Sequence, residues 1–188
     1  MRIVSILFLL AVAGALQGCF PVVAAGVGTG VMVAEDRRTS GIYLEDEVIE
    51  SKVNKLIRKQ FREDAHINVT SYNRNVLLTG EVPSEAVRTE LGKLAAGIEN
   101  VRNVYNDLVV SGVTSLTSRS SDSLITSNVK VRFVGTKAFK ADHVKVVTEN
   151  GTVFLLGIVY RAEAEAATEL ASTTGGVQRV VRLFEYLD

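Results

Sequence analysis

The chain has 188 residues, with 21 basic and 21 acidic side chains, two His, one Cys and no Trp. That length accommodates one ordinary domain or two small ones, and a formal charge of zero argues against a nucleic-acid partner held by the overall field. One cysteine excludes an internal disulfide framework and any multi-Cys zinc site.

At the N-terminus, Met1-Arg2 is a short positive region, and Ile3 to Leu16 is an apolar run broken only by Ser5 and Gly14. At 1.5 Å per residue the run reaches about 21 Å, short of a ~30 Å hydrocarbon core, so residues 1–18 read as a secretory signal peptide. Its end, Leu16-Gln17-Gly18-Cys19, resembles a bacterial lipobox. The resemblance implies a diacylglycerol thioether on Cys19, cleavage before it and acylation (by palmitate or a similar chain) of the new amine. The competing reading is an N-terminal helix with a buried Cys. More than one acyl chain, at ~0.8 kcal/mol per buried CH₂, makes a stable anchor. Phe20 rather than Asp after Cys19 favours sorting to the outer membrane, with the mature chain on the periplasmic face. Residues 19–45 then form a lipidated tether. Its Gly26-x-Gly28 has no strand before it and no helix-and-acid pattern after it, so it is not a nucleotide loop. Glu35-Asp36-Arg37-Arg38 returns the chain to water.

From residue 46 on, one unit is written twice. Asn75-Val76-Leu77-Leu78-Thr79-Gly80-Glu81-Val82 matches Thr152-Val153-Phe154-Leu155-Leu156-Gly157-Ile158-Val159 at an offset of 77. His66 matches His143 at the same offset, and Asp46 to Ile49 aligns with Asp122 to Ile125 at 76. The predicted domains are 46–111 and 122–188, joined by a Ser/Thr-rich linker over 112–121. Each reads helix, strand, strand, helix, strand. In the first copy the helix runs from about Asp46 to Gln60, alternating Ile67 and Val69 give a strand, and a turn at Asn73-Arg74-Asn75 leads into Val76 to Val82. Ser84 caps a second helix that ends at Gly97, and Val101 to Val110 is the last strand. In the second copy Asn150-Gly151 is the hairpin turn.

The α-β-β-α-β order, the glycines Gly80 and Gly157, and the closing stretches Asn100-Val101-Arg102-Asn103-Val104 and Gly176-Val177-Gln178-Arg179-Val180 resemble the BON domain. With the lipobox ahead, the chain is similar throughout to dual-BON outer-membrane lipoproteins. The resemblance implies an α+β fold, two tandem domains each with two helices on a three-stranded mixed sheet. It also implies binding of phospholipid, anionic by preference, a role in outer-membrane integrity and at the division site, and no catalytic activity or cofactor.

The copies differ most informatively in their first helices. Ile49, Val53 and Ile57 become Ile125, Val129 and Phe133, a shared core stripe. On the opposite side Val48 becomes Leu124, while Lys55 and Arg58 become Val131 and Val134. At 100° per residue from Leu124, the core stripe falls at about 100–180°, and Val131 and Val134 at about 340° and 280°. Lys130 and Arg132 flank the stripes. The candidate lipid-contacting set is Leu124, Ser127, Asn128, Lys130, Val131, Arg132, Val134 and Gly135. The second stripe could instead pack on the first copy or form a homo-oligomer contact. A non-lipid alternative is an adaptor for outer-membrane assembly proteins; cell-wall binding is disfavoured by the few aromatics.

No active site emerges. His66 and His143 are duplicated, which favours a structural edge or cap role, and neither has a metal-ligand partner close in sequence. No Gly-x-Ser-x-Gly elbow occurs. Glu163, Glu165 and Glu169 read as a solvated helix face rather than paired catalytic carboxylates.

Overall fold

A computed structural model describes residues 36–61, 66–111 and 116–188. The expected signal peptide, Cys19 and the glycine-rich part of the tether lie outside the described residues. The first domain comprises α1 (Ser40–Gln60), β1 (His66–Tyr72), β2 (Asn75–Val82), α2 (Glu85–Ala96), β3 (Asn103–Asn106) and β4 (Val109–Val110). The second comprises α3 (Leu116–Gly135), β5 (Val144–Glu149), β6 (Thr152–Val159), α4 (Arg161–Ser172) and β7 (Arg179–Tyr186). In each sheet the first two strands are antiparallel, and the last lies parallel to the middle one.

Three boundaries differ from the sequence expectation. First, α1 starts at Ser40 rather than Asp46, with the Thr39 side chain accepting from the Ile42 N–H, so the tether read over 19–45 ends in ordered helix. Second, α3 starts at Leu116, so most of the stretch read as a linker over 112–121 is helical, its serines notwithstanding. Third, the last strand of the first domain is broken. Asp107-Leu108 separates β3 from β4 while Leu108 drops into the core. The Ser84 cap holds, its hydroxyl accepting from the Val87 N–H.

Both hairpins are closed by two residues of positive φ, Asn73-Arg74 and Asn150-Gly151. Such turns match the right-handed twist of the strands they join. An Asp on the first helix secures each one. Asp46 accepts from the backbone N–H groups of Asn73 and Arg74, and from the Ser71 hydroxyl. Asp122 accepts from those of Asn150 and Gly151, both at 2.9 Å. The two matched glycines are places of close backbone approach. A Cβ on Gly80 would lie 1.9 Å from the His66 carbonyl oxygen, and one on Gly157 2.5 Å from that of His143. This accounts for the duplication of the glycines as structural.

Each domain buries its helices against one face of its own sheet. Ile49, Val53 and Ile57 pack with Val76, Leu78 and Val82, and Ile125, Val129 and Phe133 with Val153, Leu155 and Val159. The alternate residues form a third cluster, in which Tyr72 and Leu77 meet Phe154 and Leu156. The two sheets therefore lie face to face and the molecule has four layers, α/β/β/α. Phe154 belongs to this seam rather than to its own domain's core, and Phe61 is only half-buried.

Polar side chains surround the apolar seam. Glu149 accepts from Asn68 and Thr79 across it, and Glu185 accepts from Asn73, Asn75 and Arg102. The Lys145 ammonium donates to Glu50 at 3.1 Å and to the Ser71 carbonyl at 3.2 Å. Replacing Phe154 by Ala empties a buried ring site at the seam, so urea denaturation is expected to show a loss of about 3–5 kcal/mol in unfolding free energy.

Candidate functional site

The orientation of α3 follows from its buried side. Val129 and Phe133 are fully buried, and Phe133 meets Phe139 edge-to-face with ring centroids 5.0 Å apart. The Thr126 hydroxyl lies 2.7 Å from that of Thr148 on β5. With these contacts and the Asp122 bonds to the hairpin, the helix cannot rotate about its axis. The opposite stripe is thereby held outward: Leu124, Val131 and Val134 are 66%, 71% and 75% exposed. They do not pack on the first domain, which meets the second through the sheets instead.

The remaining candidate residues divide by what they touch. Lys130 is exposed and makes no hydrogen bond or ion pair among the described residues. Arg132 is anchored: its Nη1 donates to the Leu170 carbonyl at 2.7 Å and lies within 3.0 Å of the Thr173 and Thr174 hydroxyls, at the C-terminal end of α4. A cation suits that end of a helix, where backbone carbonyls lack partners. The Ser127 hydroxyl donates to the Ser123 carbonyl, and Asn128 and Gly135 are exposed.

Beside this stripe opens a cleft of about 360 Å³ between the domains. Its second-domain wall includes Lys130, Phe133 and Val134, and its first-domain wall includes Arg38, Tyr43 and Glu47. Sequence reasoning missed it, since nothing in either copy alone places Tyr43 near Val134.

Asp36-Arg37-Arg38 does not return to solvent as expected. Arg37 forms a two-pronged pair with Glu163, at 2.6 and 2.9 Å, and donates to the Ile158 carbonyl at 2.8 Å, all in the second domain. Arg38 pairs with Asp36 and Asp46, and its guanidinium lies 4.1 Å from the centre of the Tyr72 ring, in the first domain. Adjacent arginines thus hold opposite domains. Burial pushes the Tyr72 phenol up to about 12.

Glu163 is accordingly not part of a solvated face, whereas Glu165 and Glu169 are exposed. Burial raises the pKa of the Glu163 carboxyl, but the Arg37 hydrogen bonds, the Tyr160 N–H and the Arg37 charge outweigh it and hold the group below its ordinary value. Asp36 is likewise raised by burial and lowered further by Arg38.

The model of the BON domain matches residues 45–112 and again residues 121–188. The chain belongs to the BON-domain family. Its relatives include the outer membrane lipoprotein DolP of Haemophilus influenzae, 42% identical over 92% of this chain and 91% of that protein. The 21 kDa hemolysin of Actinobacillus pleuropneumoniae is 38% identical, over 81% of this chain and 79% of its own. Osmotically-inducible protein Y of Escherichia coli is 30% identical, over 80% and 77% respectively.

A carboxylate held below its unfolded pKa stabilises the fold above the unfolded value and loses that contribution as pH falls through the folded one. The two depressed carboxyls, Glu163 and Asp36, therefore predict a fall in stability on acidification below about pH 4.5. Glu163→Gln is expected to flatten that acid limb in urea titrations across a pH series, and an unchanged slope would count against the pairing.

Proposed function

We propose that this chain is a non-enzymatic, lipid-anchored protein of the outer membrane whose second BON domain binds phospholipid through the outward face of α3. The observation that carries the reading is the exposure of Leu124, Val131 and Val134 on one stripe of a helix whose other side is locked into a core. Monomeric proteins seldom leave aligned large aliphatic side chains in water without a partner for them. Lys130 lies beside the stripe and is free to meet a phosphate, while Arg132 adds charge from a fixed position. Ser127, Asn128 and Gly135 complete the contact surface.

Anchoring through Cys19 at the outer membrane, with the domains on the periplasmic side, is supported by the lipobox-like Leu16-Gln17-Gly18-Cys19 and by the 42% identity to an outer membrane lipoprotein. The boundaries 46–111 and 122–188 are the units of this reading. A role in envelope integrity and at the division site comes with the dual-BON lipoprotein resemblance.

The magnitudes fit a reader rather than an anchor. Full burial of a Val or Leu side chain is worth roughly 1.5–3 kcal/mol, and a basic residue near an anionic surface about 1 kcal/mol. Partial insertion of three apolar residues with one or two cations gives about 5 kcal/mol before association costs, which is weak for a free domain. Acyl chains on Cys19 make the second contact intramolecular and raise its effective concentration. The anchor then retains the protein, and the helix selects where in the leaflet it rests.

The test uses protein lacking residues 1–19, titrated with anionic or neutral phospholipid micelles while amide shifts are followed. Shifts are expected over residues 124–135 with the anionic lipid. Val131→Lys or Val134→Glu is expected to weaken binding more than about tenfold, with melting temperature unchanged because both side chains are exposed. Shifts confined to the first domain would overturn the assignment.

A further inference from the structure

We propose that the loop after α3 belongs to the lipid site, where Lys137, together with Lys130, holds the phosphate of an anionic phospholipid headgroup. The inference rests on the α3 reading and adds to it a contact outside the helix. Three cations occur from residue 130 to residue 137, and they differ in what else they hold. Arg132 is committed to α4: its Nη1 donates to the Leu170 carbonyl at 2.7 Å and lies 2.9 and 3.0 Å from the Thr173 and Thr174 hydroxyls. Turning to a phosphate would break those bonds. Lys130 and Lys137 are exposed and make no hydrogen bond or ion pair among the described residues.

The loop that carries Lys137 is fixed to the helix end. The Ala138 N–H donates to the Thr136 hydroxyl at 3.1 Å, and the Lys140 carbonyl accepts from the His143 N–H at 3.0 Å. Between them Phe139 is buried edge-to-face on Phe133. Three residues reach at most about 11 Å, so the Lys137 backbone stays beside Val134, the most exposed residue of the apolar stripe at 75%. Lys130 lies one helical turn before Val134, on the neighbouring position of the helix surface. The two free ammonium groups thus bracket the side chain that would enter the leaflet. Their charge matters at this place, because the carbonyl end of a helix is partly negative and by itself repels a phosphate. A lysine just past the end opposes that field. The fold does not demand it: between helix end and duplicated histidine this copy carries Lys137 and Lys140 with one acid, Asp142, whereas the first carries Arg62 with Glu63 and Asp64.

The experiment uses the full chain anchored in phosphatidylcholine nanodiscs, with phosphatidylglycerol raised stepwise. Docking of α3 is read from broadening of the Val131 and Val134 methyl signals by headgroup-spin-labelled lipid. The Lys137 side-chain signals are expected to broaden along with them. Lys130→Gln and Lys137→Gln are each expected to lower the docking equilibrium about fivefold and to make it less sensitive to added salt. Their melting temperatures should change little, since both side chains are exposed. Lys137→Arg is expected to dock like wild type. Docking by Lys137→Gln as strong as wild type would overturn the proposal, as would broadening at Val131 and Val134 that spares Lys137. A wild-type chain that never docks would overturn the α3 reading itself, and this inference with it.

Discussion

Contact between the two sheets, with Tyr72 and Leu77 set against Phe154 and Leu156, determines which surfaces the protein has left to offer. A BON domain on its own has one sheet face under helices and one open. Here each domain covers the open face of the other, so β2 is buried along its entire length, including the polar side chains of Asn75, Thr79 and Glu81. The apolar contacts supply most of the attraction, since a buried aliphatic or aromatic side chain is worth a few kcal/mol and a surface ion pair about 0–1. The surrounding Glu149 and Glu185 hydrogen bonds fix register, because an amide facing the wrong partner would be buried unsatisfied. Once the seam is closed, the outer faces of α1 and α3 remain exposed.

The duplication shows how such a scaffold separates constraint from use. Asp46 and Asp122 tie their helices to the hairpin turns by the same bonds, and Gly80 and Gly157 admit a neighbouring carbonyl at the same point of the strand. Those positions are dictated by backbone geometry. The outward helix positions are not, and there one copy carries Lys55 and Arg58 where the other carries Val131 and Val134. One architecture thereby presents a cationic outer wall and a hydrophobic one.

Much of this was legible in the sequence. The repeat gave the two domains, the spacing of Ile125, Val129 and Phe133 gave the buried side of α3, and the remaining apolar residues of that helix were correctly placed outward. The start of α3 was not legible, because a Ser-rich stretch has little helical signal of its own. The seam had a signal that went unused: β6 reads Val153-Phe154-Leu155-Leu156 without polar alternation, the pattern of a strand covered on both faces. In β2 the signal was masked by Thr79 and Glu81, polar residues that are nonetheless buried. The Arg37 contacts could not be read locally, since Glu163 and Ile158 lie more than 120 positions along the chain.

Those two arginines bear on how load passes through the molecule. The segment leading to the N-terminus meets the globule at residues gripping both halves, Arg37 on Glu163 and Arg38 on Asp46. A pull on the chain ahead of Arg37 is therefore shared across the joint instead of peeling one half from the other.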